Sequence, residues 1–265
     1  MTKRKLLGNA SIVLVLFLAA CGGAEKPAEE AAKTETAAPA GPAVDPATAA
    51  TITGKVVYKD GKPKANRIRM DADAACAALH GTPVYSEEVV VNDNGTLRSV
   101  FVYVKAGLGN YSFPTPKEPV VLDQKGCLYT PHVVGAQVNQ DVKILNSDQT
   151  THNIHPVPAV NREWNTSMPP GSEALVKNFP REELLIPVKC NVHPWMKSYV
   201  GVLKHPFFAV TGPDGAFTIK GLPPGTYTLA AWQEKFGTVE QTVTVGAKET
   251  KSVDFTISPP AGAGD

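Results

Sequence analysis

The sequence predicts an all-β protein, and three observations carry that expectation. Glycine and proline are plentiful, at 22 and 23 of 265 residues, a density that suits many short strands joined by turns. Short runs rich in β-branched residues recur from residue 51 onward, with Asp-Gly and Pro-Gly pairs among them; such pairs favour tight turns. In the C-terminal quarter, apolar and polar residues alternate at period two, the pattern of strands buried on one face. The length allows about two domains. A net charge of +1 leaves no basic footprint, so no nucleic-acid partner is expected.

Residues 1–20 read as a leader. Lys3, Arg4 and Lys5 form a basic start, and the apolar run Ile12 to Leu18 is short for a membrane-spanning helix. "LAAC", Leu18 to Cys21, resembles the bacterial lipobox, which implies a lipoprotein signal peptide and a lipid on Cys21. By resemblance to Gram-negative lipoproteins, Gly22 after that cysteine implies the periplasmic face of the outer membrane. Without the leader's three basic residues the net charge falls from +1 to −2. Residues 21–50 are mostly Ala, Pro, Glu, Lys, Thr and Gly. They cannot bury enough apolar surface to offset ordering. A flexible tether of this length spans about 30 Å.

The folded part is expected in three stretches: a β-rich extension (51–118), a first sandwich (119–205) and a smaller one (206–258), with 259–265 as a tail. "TITGKVVYKDGKPK" (51–64) reads as strand, turn and strand. "DADAACAALH" (71–80) suits a short helix capped by Asp71 or Asp73. "RSVFVYVKAG" (98–107) suits a buried central strand. "EPVVLDQ" (118–124), "CLYTPHVVGAQV" (127–138), "DVKILNSD" (141–148) and "HNIHPV" (152–157) follow as strands. "EALVKNF" (173–179), "ELLIPVKC" (183–190) and "YVGVLKHP" (199–206) complete that set. Beyond 206, Phe217/Ile219, Tyr227/Leu229, Val243/Val245 and Val253/Phe255/Ile257 mark one buried face. "DGAFTIKGLPPGTYTL" (214–229) resembles the carboxypeptidase-regulatory-like, transthyretin-type sandwich. That resemblance implies a fold and leaves the chemistry open.

"CNVHPWM" (190–196) places Cys190, His193 and Met196 in one tight loop. A thiolate, an imidazole and a thioether suit copper better than calcium or magnesium. "NSDQTTHNIHP" offers His152 and His155 as a further ligand. Three residues apart on a strand, they face opposite ways. The order of these residues and the flanking strands resemble a cupredoxin of the amicyanin type, a Greek-key β-sandwich. The resemblance implies one type 1 copper held by His152, Cys190, His193 and Met196. It also implies that Asn153 ties the two ligand-bearing loops and hydrogen-bonds the cysteine sulfur. It implies electron exit through an exposed His193 edge, with Pro194 and Trp195 in the docking patch. The partners it implies are redox proteins, a c-type cytochrome or a dehydrogenase.

Two cysteines remain, Cys76 and Cys127. In an oxidising envelope they are expected as a disulfide; a second metal site with His80 and His132, or free thiols, stays open. One cysteine in the ligand loop excludes a dinuclear purple centre, and six histidines are few for a multicopper oxidase. No Ser-His-Asp pattern, phosphate loop or dinucleotide signature appears. The reading is a periplasmic electron carrier rather than an enzyme. The alternatives are copper storage or delivery, or an envelope interaction module that binds copper incidentally.

Overall fold

A computed structural model describes residues 41–60 and 62–259. The leader, Cys21 and most of the 21–50 tether lie outside the described residues, as do 260–265. Among the described residues, the elements in chain order are β1 (Ala50–Tyr58), α1 (Ala74–Ala78), β2 (Phe101–Ala106), β3 (Val120–Gln124), β4 (Tyr129–Thr130), β5 (Val133–Gln137), β6 (Val142–Asn146), β7 (His152–Pro156), β8 (Thr166–Met168), β9 (Leu175–Lys177), β10 (Glu183–Lys189), β11 (Lys197–Leu203), β12 (Phe208–Val210), β13 (Ala216–Leu222), β14 (Gly225–Gln233), β15 (Gly237–Val245), β16 (Thr250–Ser252) and β17 (Phe255–Ile257). Also among them, no helix is long and apolar enough to cross a membrane.

The strands build two sandwiches. In the first, the sheet β5-β11-β10-β7-β8 and the sheet β4-β3-β6-β9 enclose a core that includes Leu122, Ile144, Ile154, Ile186 and Val200. In the second, β1 lies between β13 and β16 and also pairs with β17, while β12-β2-β14-β15 forms the other sheet. Ile52, Val56, Val102, Val104, Phe217, Leu229 and Phe255 fill that core. All the apolar positions expected on one face beyond 206 are buried.

Residues 51–118 are therefore not an extension with a fold of their own. β1 pairs antiparallel with β13 and parallel with β16 and β17, and β2 pairs antiparallel with β12 and β14. Both strands sit inside the second sandwich. The physical reason is burial: β2 buries Val102 and Val104 in that sandwich and Phe101 and Tyr103 on its opposite face. A strand buried on both faces cannot stand at the edge of a separate unit. The expected second strand of a hairpin at 62–64 is absent, since residues 62–66 form no strand.

The outer face of β2 joins the two sandwiches. Phe101, Tyr103, Val133, Leu185, Leu203 and Ala230 form a third core between them. Gly135 of β5 and Gly201 of β11 are register partners. A Cβ at Gly135 would lie 2.3 Å from Phe208 Cε2, and one at Gly201 would lie 2.6 Å from Phe101 Cζ. The paired glycines leave room for two aromatic rings against the sheet.

The chain between β1 and β2 reaches over the first sandwich. Ile68, Met70 and Val84 pack against its core, and α1 places Cys76 there. Asp73 is the helix cap, accepting the Ala75 and Cys76 N–H groups, which suits a short polar side chain at that position.

Candidate metal centre

A strand and a turn converge at one end of the first sandwich. β7 begins with His152, the turn after β10 carries Cys190, and the same turn carries His193 and Met196 before β11. The turn closes on itself: the Met196 N–H donates to the His193 carbonyl at 2.9 Å, and the Cys190 N–H donates to the Met196 carbonyl at 3.4 Å. One ligand atom from each of His152, Cys190 and His193 lies within 4.8 Å of the others. His152 and Met196 are fully buried, and Cys190 and His193 are 2% exposed.

The two imidazoles face each other, with His152 Nδ1 and His193 Nδ1 2.9 Å apart. Their outer nitrogens meet carboxylates. His152 Nε2 is 2.9 Å from Asp148 Oδ2, and His193 Nε2 is 2.9 Å from Asp73 Oδ2. A carboxylate only accepts, so each Nε2 carries the proton and each Nδ1 presents a lone pair. Two lone pairs at 2.9 Å beside a thiol repel unless a cation lies among them. The donor set therefore fits a metal ion, and a soft one. A carboxylate behind a histidine fixes its tautomer and raises its basicity.

Burial lowers the pKa of His152, with the Asp148 bond opposing it. The bond from His193, then the Cys76 N–H, holds Asp73 below the ordinary carboxylate range.

The sulfur is held by backbone donors. Asn153 N–H reaches Cys190 Sγ at 3.5 Å and His193 N–H reaches it at 3.4 Å. Asn153 also ties the loops through its side chain. Its Oδ1 accepts the Asn191 N–H at 2.5 Å, and its Nδ2 donates to Asn165. Tyr129 underlies the strand, its hydroxyl donating to the Asn153 carbonyl at 2.5 Å. Burial pushes that phenol's pKa upward.

His155 points away, between Asn191 and Glu163. Cys76 and Cys127 are joined in a disulfide. The alternative set of Cys76, His80, Cys127 and His132 is not gathered. His80 Nε2 is 2.8 Å from the Gly126 carbonyl, and His132 pairs with Glu234 at 2.5 Å.

The exposed His193 edge expected for electron exit is not present. Asp73 and α1 cover Nε2, because the segment between β1 and β2 folds over this end of the sandwich. Pro194 is exposed; Trp195 is half-buried, and its Nε1 donates to the Cys127 carbonyl at 3.0 Å. The Trp195 ring lies 5.0 Å from the His193 ring. With Tyr129, His132 and Glu234, Pro194 and Trp195 border a cavity of about 180 Å³.

Asp73 and Asp148 are the residues that sequence reasoning missed. Asp148 stands four residues before His152, a spacing that was legible. Asp73 was legible as a helix cap, but its reach to His193, 120 residues away, was not.

Residues 202–258 match the family model of the carboxypeptidase regulatory-like domain. That match takes in β12 to β17 but not β1 and β2, which complete the sandwich. No curated protein matches the chain. Among solved structures, a copper-containing nitrite reductase from Thermus scotoductus SA-01 is similar at 19% identity and a TM-score of 0.30, over 37% of this chain and 25% of that one. A purple cupredoxin from Nitrosopumilus maritimus is similar at 19% identity and a TM-score of 0.27, over 31% of this chain and 98% of that one. An oxidised amicyanin variant is similar at 24% identity and a TM-score of 0.28, over 32% of this chain and 81% of that one. The chain thus spans a quarter of the nitrite reductase. It is an all-β protein that carries a carboxypeptidase regulatory-like domain at 202–258 and has cupredoxins among its structural neighbours.

Proposed function

We propose that this protein carries single electrons at one copper ion held by His152, Cys190, His193 and Met196. The observation that carries the reading is the buried set of two inward Nδ1 atoms and one thiol, each fixed from outside. Copper bound there would supply a one-electron couple, and two imidazoles, a thiolate and a weak thioether are the donors such a couple uses. The chain's own part is rigidity. Asp148 and Asp73 hold the rings, two N–H groups hold the sulfur, and Asn153 holds the loops together. A site that does not rearrange loses little energy when its charge changes.

Burial of the ligands favours retention of the metal over ready exchange, and so favours electron transfer over delivery. On this reading the protein is not an enzyme. It works at the periplasmic face of the outer membrane, tethered by a lipid on Cys21, and exchanges electrons with a c-type cytochrome or a dehydrogenase. The lipobox-like "LAAC" supports the anchor, and family resemblance supports the partners. With His193 covered, the half-buried Trp195, whose ring lies 5.0 Å from that of His193, and the exposed Pro194 offer a route from the ligand loop to the surface.

The test is the visible spectrum of residues 22–265 with one equivalent of Cu(II), beside the Cys190→Ala variant. An intense band lost in the variant establishes thiolate-to-copper charge transfer. A colourless, tightly bound product points to cuprous handling, and absence of stoichiometric binding overturns the copper reading.

A further inference from the structure

The two carboxylates behind the histidines share a second property. Asp73 Oδ1 accepts the N–H groups of Ala75 at 2.8 Å and Cys76 at 3.1 Å, while its Oδ2 meets His193. Asp148 accepts the N–H of Gly126 at 2.7 Å through Oδ1 and that of Cys127 at 2.7 Å through Oδ2, which also meets His152. Cys76 and Cys127 are the two halves of one fully buried disulfide. Each half-cystine therefore donates its backbone N–H to the carboxylate that holds one imidazole. The connection runs unbroken from His193 through Asp73, Cys76, Cys127 and Asp148 to His152. Cys76 Sγ also lies 3.6 Å from His193 Nε2.

We propose that the Cys76–Cys127 disulfide is a positioning device for the metal centre, clamping Asp73 and Asp148 behind the two histidines and holding α1 closed over His193. The consequence for copper rests on the reading above; the clamp itself does not. α1 has five residues, far fewer than a helix needs to persist alone. Among the described residues, 59–97 include no strand, only isolated bridges such as Arg67 with Tyr85 and Val91 with Leu97. The contacts that hold α1 on this end of the sandwich include the packing of Ile68, Met70 and Val84, the Asp73–His193 bond, the His80–Gly126 bond, a Thr150 Oγ1–Asp73 contact at 3.5 Å and, alone among these, a covalent one, the cross-link. Asp73 and His193 stand 120 residues apart on one chain, and the cross-link shortens the effective connection between them, which raises the effective concentration of Asp73 at His193.

The test uses the full chain in two states. In the metal-free state, His193 is probed by carbethoxylation with diethyl pyrocarbonate and mapped by mass spectrometry. His193 of the native chain is expected to be protected, and that protection is expected to be lost in Cys76→Ser/Cys127→Ser. In the copper-loaded state, the double variant is expected to keep its charge-transfer band, since Cys190 is intact. Its copper affinity should fall roughly 10–100-fold, as for loss of an outer partner of a ligand histidine, and its reduction potential should shift. Should the double variant fail to fold, Asp73→Ala keeps the disulfide but removes one link and should show the same loss of protection. Asp73→Asn keeps one oxygen for the helix cap but turns an amide N–H donor toward the His193 Nε2–H, so it should not restore that protection. Equal protection of His193 in the native chain and in these variants overturns the clamp. Absence of a band in the native chain overturns the copper reading alone, leaving the protection result to decide this one.

Discussion

Asp148 shows how much one side chain holds in this protein. It accepts two backbone N–H groups and orients His152, all while 5% exposed. Asp148→Ala should lower copper affinity roughly 10–100-fold, read by competition with a chromophoric chelator. It should also cost about 1–3 kcal/mol of stability for each buried donor left unpaired, read by denaturant unfolding. His205 gives a pH dependence. It is buried, stacks on Phe207 and accepts the Phe207 N–H through Nδ1, and burial lowers its pKa. Its contribution to stability is full above the unfolded value, about 6.5, and is lost as pH falls toward the folded one. His205→Phe should flatten that acid-side decline in melting temperature. The clustering of His152, Cys190 and His193 was legible because one loop and one strand carry them in a fixed order. Asp73 was not legible as a site residue, because nothing local links it to His193.

At the scale of elements, the paired glycines of β5 and β11 matter most for how the sandwiches meet. Gly135→Ala would press a methyl group against Phe208, and Gly201→Ala would press one against Phe101. Overpacking of this kind costs about 1–3 kcal/mol, which differential scanning calorimetry would read as a lower melting temperature. The strands of the first sandwich other than β8 were legible from their apolar runs and their turns, although 127–138 holds two strands, β4 and β5, and not one. So was the double burial of 100–104, the middle of the run 98–107. What covered its second face was not, since a continuous apolar run says that both faces are buried and not by what. The short helix was legible from its cap, whereas the strand expected at 62–64 was not realised, although Asp60-Gly61 is a good turn pair.

The whole molecule is more interleaved than its linear order suggests. A chain ending at residue 205 would keep β1 and β2 but lose β12, β13, β14, β16 and β17, their sheet neighbours. It should expose Ile52, Val102 and Leu229's former contact surface, and limited proteolysis should cut within 41–118 while the intact chain resists. If that truncated chain remains resistant, the pairing described for β1 is not what holds it. Pairings of this range leave no local trace in a sequence, which is why the boundary at 118 seemed natural from pattern alone. They also set an order of events. Thr51 is made early, yet its parallel partner is Thr250. The lid over His193 hangs from the chain between β1 and β2, so its strand anchors are complete only once the last strands pair, whereas the Cys76–Cys127 cross-link closes a span of 51 residues that ends before the ligand loop begins.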